Sequence, residues 1–349
     1  MIYLPSIEQI VGGYNIRYDK LMELIPAYFA GSSATEINLY IDITPIIKQC
    51  GCSCNISDTK NKDLILVSSI INMCAHYRQF FKSRLGVYAH IYIVLSGMTS
   101  PYNTKFIKEY RNSPKEIRSY DYNMINKTVD FLVLLTKYIN SVYFINTAQE
   151  AGVAIYDLIA TKKDRCCNFP DIILTKDIYD YQLASTGAAI LRPKKSMNGD
   201  ISYIFGYNDV IQVYLLERKI TTEQSLCKAE MLPVIMALTR LPERYLRSLK
   251  SIPTIIKTLN KLIGIGIVPD TCTDIDYICN LLEREKVKIN NLEIQCRFNA
   301  ISIISQYYGL STAGFQICIW DSANLYDPES LKQLNNVEFK DHPLDLMAF

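Results

Sequence analysis

Two carboxylates stand where strands are predicted to end. Asp42 stands near the end of the run Asn38 to Ile43, NLYIDI, and Asp177 follows the run Asp171 to Leu174, DIIL, within a polar turn. Both runs concentrate β-branched and aromatic residues as buried strands do, and Pro45 stops the first. In open α/β sheets, ligands and cations collect in the crevice beyond the carboxyl ends of the strands. An acid delivered there can hold a cation or orient a polar ligand. A solvated acid in a βα loop has the same sequence signature. Glu150 is a third acid, and with Thr147 it also has the spacing of a capping box, which accounts for both residues without a ligand. Asp157 lies seven residues beyond Glu150, two helical turns, so the two share one helix face.

Those acids need a sheet to carry them. Leu64 to Ser83 has apolar residues at helical spacing, Val87 to Leu95 reads as a strand, Asn123 to Ile139 as a helix and Ser141 to Ile145 as a strand. Ala188 to Leu191 and Ile201 to Phe205 flank the turn Met197-Asn198-Gly199-Asp200 as a hairpin. Strands separated by helices imply parallel crossovers. The expected fold is therefore α/β, a mainly parallel central sheet flanked by helices with an antiparallel edge hairpin. From Thr221 the pattern turns helical, with helices expected over Glu223 to Leu238, Pro242 to Leu249, Pro253 to Ile263, Thr271 to Arg284 and Cys296 to Tyr308. This divides the chain into an N-terminal appendage (1–36), an α/β domain (37–220), a helical region (221–314) and an irregular tail (315–349).

Composition bounds the partners. A net charge of +2 over 349 residues gives no overall basic field, so contact with a nucleic-acid backbone requires a local patch. The segment with Lys105, Lys108, Arg111 and Lys115, interleaved with Tyr102, Phe106 and Tyr110, is such a patch. A solvated amphipathic helix has the same pattern. Eleven cysteines and no signal-peptide pattern point to a reducing, intracellular setting. Cys50, Cys52 and Cys54 lack the two-residue ligand spacing of zinc sites, and buried free thiols account for them more simply. No apolar run approaches the roughly twenty residues that span a bilayer, so no membrane association is expected. The richness in Ile, Asn, Lys and Tyr is that of an AT-rich genome, which suggests a virus, phage or parasite and places the protein in a host cytoplasm or virion.

Taken in order, these pieces resemble the flap endonuclease and 5′-to-3′ exonuclease family, the larger relatives of PIN-domain nucleases. The resemblance runs from about residue 37 to 265 and is carried by IDIT with Asp42, YIVLSGMTSPYNTKFIKEYRN, EAGVAIYDLIA, LTKDIYDYQL and ALTRLPERYLRSLKSIPTIIKTLNKL. It implies a helix-turn-helix in the last stretch, in which Arg240, Arg244, Arg247 and Lys250 form a second phosphate-facing row. It also implies that Asp42, Glu150 and Asp177 are the remnants of a metal site, with Asp157 as an alternative in a shifted register.

The departures from the family pattern are specific. Ser96 stands where the family carries an Asp, Gly152 and Val153 where it has two further acids, and Tyr179 at the second Asp of the turn motif. Leu241 and Arg244 replace aspartates, and Ser251 and Pro253 replace hairpin glycines. Two-metal hydrolysis needs carboxylates from several strand ends around cations roughly 4 Å apart. Asp42, Glu150 and Asp177 would build at most one weak site, so no cofactor is expected, with Mg²⁺ or Mn²⁺ as the alternative. The expectation is a degenerate, non-catalytic member that binds DNA or RNA backbone or a protein partner. The alternatives are an active metal-dependent 5′ nuclease with a rearranged site and a purely structural protein. The last six residues, Leu344 to Phe349, loosely resemble peptides that bind bacterial sliding clamps, with Leu344 where Gln is expected. This tail is the candidate protein-docking element.

Overall fold

The computed structural model describes residues 35–43, 62–96, 122–139, 141–147, 151–162, 169–196, 199–218, 220, 225–239, 252–301 and 317–320. Its strands are β1 Glu36–Asp42, β2 Tyr88–Ser96, β3 Val142–Thr147, β4 Asp171–Leu174, β5 Ala189–Ser196, β6 Gly199–Phe205 and β7 Ile317–Trp320. They form one sheet in the order β6-β5-β4-β1-β2-β3-β7. The pairs β1–β2, β1–β4, β2–β3 and β4–β5 are parallel, while the edge pairs β5–β6 and β3–β7 are antiparallel. Parallel neighbours need crossovers, and helices supply three of them. These are α1 Lys62–Leu85 between β1 and β2, α2 Tyr122–Tyr138 between β2 and β3, and α3 Ala151–Lys162 between β3 and β4.

Both faces of the sheet are covered, which is why its central strands read as nearly unbroken apolar runs. Leu39 and Ile41 pack with Phe80 and Phe81 of α1 and Leu132 of α2, whereas Tyr40, between them in β1, packs with Ala154 and Ile155 of α3. Tyr40, Tyr92 and Tyr143 are directly opposite one another on three adjacent strands, with ring centroids 4.8 and 4.6 Å apart. Cross-strand aromatic stacking of this kind fixes register.

The C-terminal helices are α4 Val210–Glu217, α5 Leu232–Thr239, α6 Ile252–Gly264, α7 Ile275–Arg284 and α8 Asn291–Ile301. Val234, Ile256 and Leu282 from this region share one apolar cluster with Tyr40, Ile173 and Ile190 of the sheet. The predicted helical region is therefore packed onto the α3 face of the sheet through a common core.

Several expectations are corrected. The tail, read as irregular, contributes β7, which pairs with β3 at the edge of the sheet. Thr147 ends β3, and Glu150, its partner in the expected capping box, lies outside the described residues. The predicted helix Glu223 to Leu238 is shorter. Residues 225–228 are not helical, a 3₁₀ turn occupies Ala229–Met231, and α5 begins at Leu232 with Pro233 in its first turn, where a missing N–H costs nothing. Asp274 caps α7 by accepting from the Tyr277 N–H at 2.9 Å, so that helix begins at Ile275 and not at Thr271. The helix expected from Cys296 starts at Asn291. Helix α4 has no counterpart among the expected elements, because most of its residues, Val210 to Leu215, are buried and a helix without a polar stripe shows no amphipathic period. The predicted helix Pro242 to Leu249 and the tail peptide Leu344 to Phe349 lie outside the described residues.

Candidate functional site

The chain builds β1, β2 and β3 outward in one direction and then returns to place β4 on the other side of β1. Strand order reverses there, so the crevice beyond the carboxyl ends of β1 and β4 is the topological switch point of the sheet. Asp42 ends β1, and Thr175 follows the last residue of β4; each stands one step beyond the paired residues Ile41 and Leu174. Alternation from Tyr40 puts Asp42 on the α3 face, where it is 7% exposed. Asp42 and the turn bearing Asp177 therefore lie at the same edge of the sheet, at the ends of the neighbouring strands β1 and β4.

The turn after β4 is built by its own side chains. Thr175 is buried, and its hydroxyl donates to Asp180 Oδ2 at 2.6 Å while accepting from the Asp177 N–H at 2.9 Å. Asp177 in turn caps the 3₁₀ helix Ile178–Thr186, accepting from the Tyr179 N–H at 3.0 Å. Gly187, with a positive φ of 90°, ends that helix. Gln182, 2% exposed, donates from Nε2 to the carbonyls of Tyr179 at 3.0 Å and Ile301 at 2.9 Å, fastening the turn to α8.

Asp180 is the residue that sequence reasoning passed over. Tyr179 stands at the second Asp of the turn motif LTKDIYDYQL, yet the buried carboxylate of the motif is its neighbour, 5% exposed. Its Oδ1 lies against the first turn of α3, 2.6 Å from the point where a β-carbon at Gly152 would stand. The only sequence signal was the pairing of a glycine near a helix start with an extra acid in the turn.

Asp157 lies in α3, six residues beyond its first position, so about 9 Å along the axis from the end that meets the carboxyl edge. Burial raises its pKa above the ordinary carboxylate range. Gly152 and Val153 are buried in α3 and offer no side-chain donor. Ser96 ends β2 opposite Thr147. Glu150, the cations Lys105, Lys108, Arg111 and Lys115, the row Arg240, Arg244, Arg247 and Lys250, and Cys50, Cys52 and Cys54 lie outside the described residues. Among the described residues, no group of three His, Cys, Asp or Glu side chains is placed to hold a metal ion, and no helix is long and apolar enough to cross a membrane.

No protein-family model matches the chain, and no curated protein does. Solved structures similar to it include the catalytic core of Rad2 in complex with DNA substrate, at 12% identity over 77% of this chain and 72% of that one, with a TM-score of 0.42. A bacteriophage T5 flap endonuclease in a pseudo-enzyme-product complex with DNA and metal ions is similar at 11% identity over 77% and 90%, with a TM-score of 0.43. The T5 5′-exonuclease with bound zinc is similar at 12% identity over 76% and 88%, with a TM-score of 0.42.

Proposed function

We propose that the chain is a nuclease-like α/β protein without a two-metal centre, acting as a nucleic-acid-binding or protein-interaction component of viral DNA metabolism or of a virion. The observation that carries this reading is how the acids after β4 are used. Asp177 caps a 3₁₀ helix, and Asp180 accepts the Thr175 hydroxyl from a buried position against α3. A pair of hard cations needs several carboxylates free to clamp attacking and leaving oxygens. Gly152, Val153 and Tyr179 cannot replace them, so this donor set does not fit two metals.

The second reading is a metal-dependent 5′ nuclease with a rearranged site, using one Mg²⁺ or Mn²⁺ held by Asp42, Glu150 and Asp177. It is favoured by the shared carboxyl edge of Asp42, which ends β1, and of the turn after β4 that bears Asp177. One experiment separates the two. Binding to labelled single-stranded and duplex oligonucleotides is titrated with salt, and cleavage is followed in Mg²⁺ and Mn²⁺. The non-catalytic binder gives an affinity whose logarithm falls linearly with log salt, by roughly 0.7–0.9 for each phosphate engaged, and no turnover. Cleavage that disappears in Asp177→Ala establishes the second reading, and no binding at low salt removes nucleic acid as the partner.

A further inference from the structure

Helix α3 carries the chain from the carboxyl end of β3 back to the amino end of β4, and these strands are parallel with β1 and β2 between them. Its N-terminus therefore points to the carboxyl edge of the sheet, the edge of Asp42 and of the turn after β4. A helix N-terminus presents unpaired N–H groups and a partial positive charge, both of which favour an anion. Among the described residues, the first turn of α3, Ala151-Gly152-Val153-Ala154, contains no acid of its own.

An acid arrives from elsewhere in the chain. Asp180 is 5% exposed, its Oδ2 accepts the Thr175 hydroxyl at 2.6 Å, and its Oδ1 rests against Gly152. The gap there is 2.6 Å to an ideal β-carbon, closer than real β-carbons approach an oxygen, and Asp180 Cγ at 3.7 Å and Leu183 Cδ1 at 3.9 Å complete the contact. Every residue except glycine would push the carboxylate away. Glycine lowers helix propensity at such a position, so its presence requires a reason, and the carboxylate supplies one.

We propose that Asp180 is the resident anion of the α3 N-terminus, filling the switch-point crevice from inside and locking the turn after β4 onto α3, with Gly152 as the opening that admits it. A site that would otherwise receive the anionic group of a ligand is thereby occupied by the protein itself. The contact is buried, so its electrostatic part is weakly screened by salt. The proposal stands whether or not the chain binds nucleic acid, since every readout below is a melting temperature of the full chain.

Gly152→Ala gives the first test, because the sign decides. In an open helix position this change raises the melting temperature; against Asp180 it lowers it. A rise overturns the proposal. Asp180→Asn keeps the shape and an acceptor for Thr175 but removes the charge, and is expected to lower the melting temperature by roughly 1–3 °C. Melting together with wild type overturns the proposal. Asp180→Ala vacates the position. Inorganic phosphate is then expected to raise the melting temperature of this variant more than that of wild type, whereas equal shifts overturn it. Combining Gly152→Ala with Asp180→Ala removes the clash, so the glycine substitution is expected to lose its penalty in that background. An unchanged penalty overturns the proposal.

Discussion

Tyr181 donates its hydroxyl to Glu217 Oε2 at 2.9 Å, binding the turn after β4 to the last residue of α4. Arg192 of β5 donates from Nε to the other carboxylate oxygen at 3.1 Å and places its guanidinium 5.3 Å from the centre of the tyrosine ring. Three elements thus meet in one network under a fully buried ring. Burial, reinforced by Glu217, raises the phenol pKa far above its ordinary value.

Tyr181→Phe is expected to cost about 1–3 kcal/mol by denaturant titration, since the ring still fills its place but a charged acceptor loses a donor. The sign with pH follows from the raised phenol. Its stabilisation is fully present below the unfolded phenol pKa of about 10 and is lost as pH rises above that value. Wild type should therefore lose stability in alkaline solution faster than Tyr181→Phe. Parallel pH curves for the two proteins would show that the phenol is not held in this network.

Asp209 occupies the N-cap position of α4 without capping it, and its Oδ2 is buried with no hydrogen-bond partner. Burial pushes its pKa up to about 6. A carboxyl raised in this way favours folding at pH below the unfolded value near 4, and that contribution is lost as pH rises through about 6. Asp209→Asn is expected to be more stable than wild type at pH 8 by about 1 kcal/mol, a figure discounted because the group is partly exposed. The difference should vanish by about pH 4. A variant less stable than wild type at pH 8 would mean that the charge is satisfied.

Thr175 serves two partners with one hydroxyl, donating to Asp180 and accepting from the Asp177 backbone. Thr175→Val keeps the shape and removes both bonds, at an expected cost of about 2–4 kcal/mol, whereas Thr175→Ser should recover most of it. Equal losses in the two variants would assign the effect to the methyl group and not to the hydroxyl.

How much of this was legible in the sequence differs by element. Strands β1, β2 and β4 announced themselves because burial on both faces leaves long β-branched runs, and Asp42 and Asp177 could be placed at strand ends from those runs alone. Asp180 could not, because what defines it is a contact with Gly152 across about 28 residues of chain, and sequence spacing carries no information about which side chain enters a glycine's space. Helix α4 was invisible for the opposite reason, since burial nearly all round removes the polar stripe that periodicity needs. The edge strand β7 is four residues long, far from its partner β3 in the chain, and too short for a periodic signal.

The cationic rows give a prediction about binding. Reversing two charges among Lys105, Lys108, Arg111 and Lys115, or among Arg240, Arg244, Arg247 and Lys250, should reduce the salt slope of oligonucleotide binding by roughly 1 for each phosphate that is no longer neutralised. The weakening should be uniform across sequences, because interactions with phosphate position the protein without reading bases. An unchanged slope removes that row from the binding surface.

The turn after α6 gives the last prediction. Gly266 has a φ of 76° and donates to the carbonyl of Ile263 at 2.9 Å, while the Ile267 N–H donates to that of Leu262 at 3.0 Å. This is a Schellman closure, which satisfies carbonyls left over at the helix end. The Ile265 N–H is also taken, by Lys261, so the turn has no spare amide at these positions with which to hold a phosphate. What it displays instead is apolar, since Ile265 is 59% and Ile267 44% exposed, with Tyr277 tied to the Ile267 carbonyl at 3.0 Å. Nothing lies within 4 Å of a β-carbon added at Gly266, so Gly266→Ala meets no clash and its cost is that of the left-handed backbone alone. That cost should be about 1–2 kcal/mol. Asn, which tolerates this conformation, should cost less. Amide exchange at Ile267 and Val268 should quicken in the alanine variant while α5 is unaffected. Equal stability of the alanine and glycine proteins would show that the turn does not hold the left-handed conformation in solution.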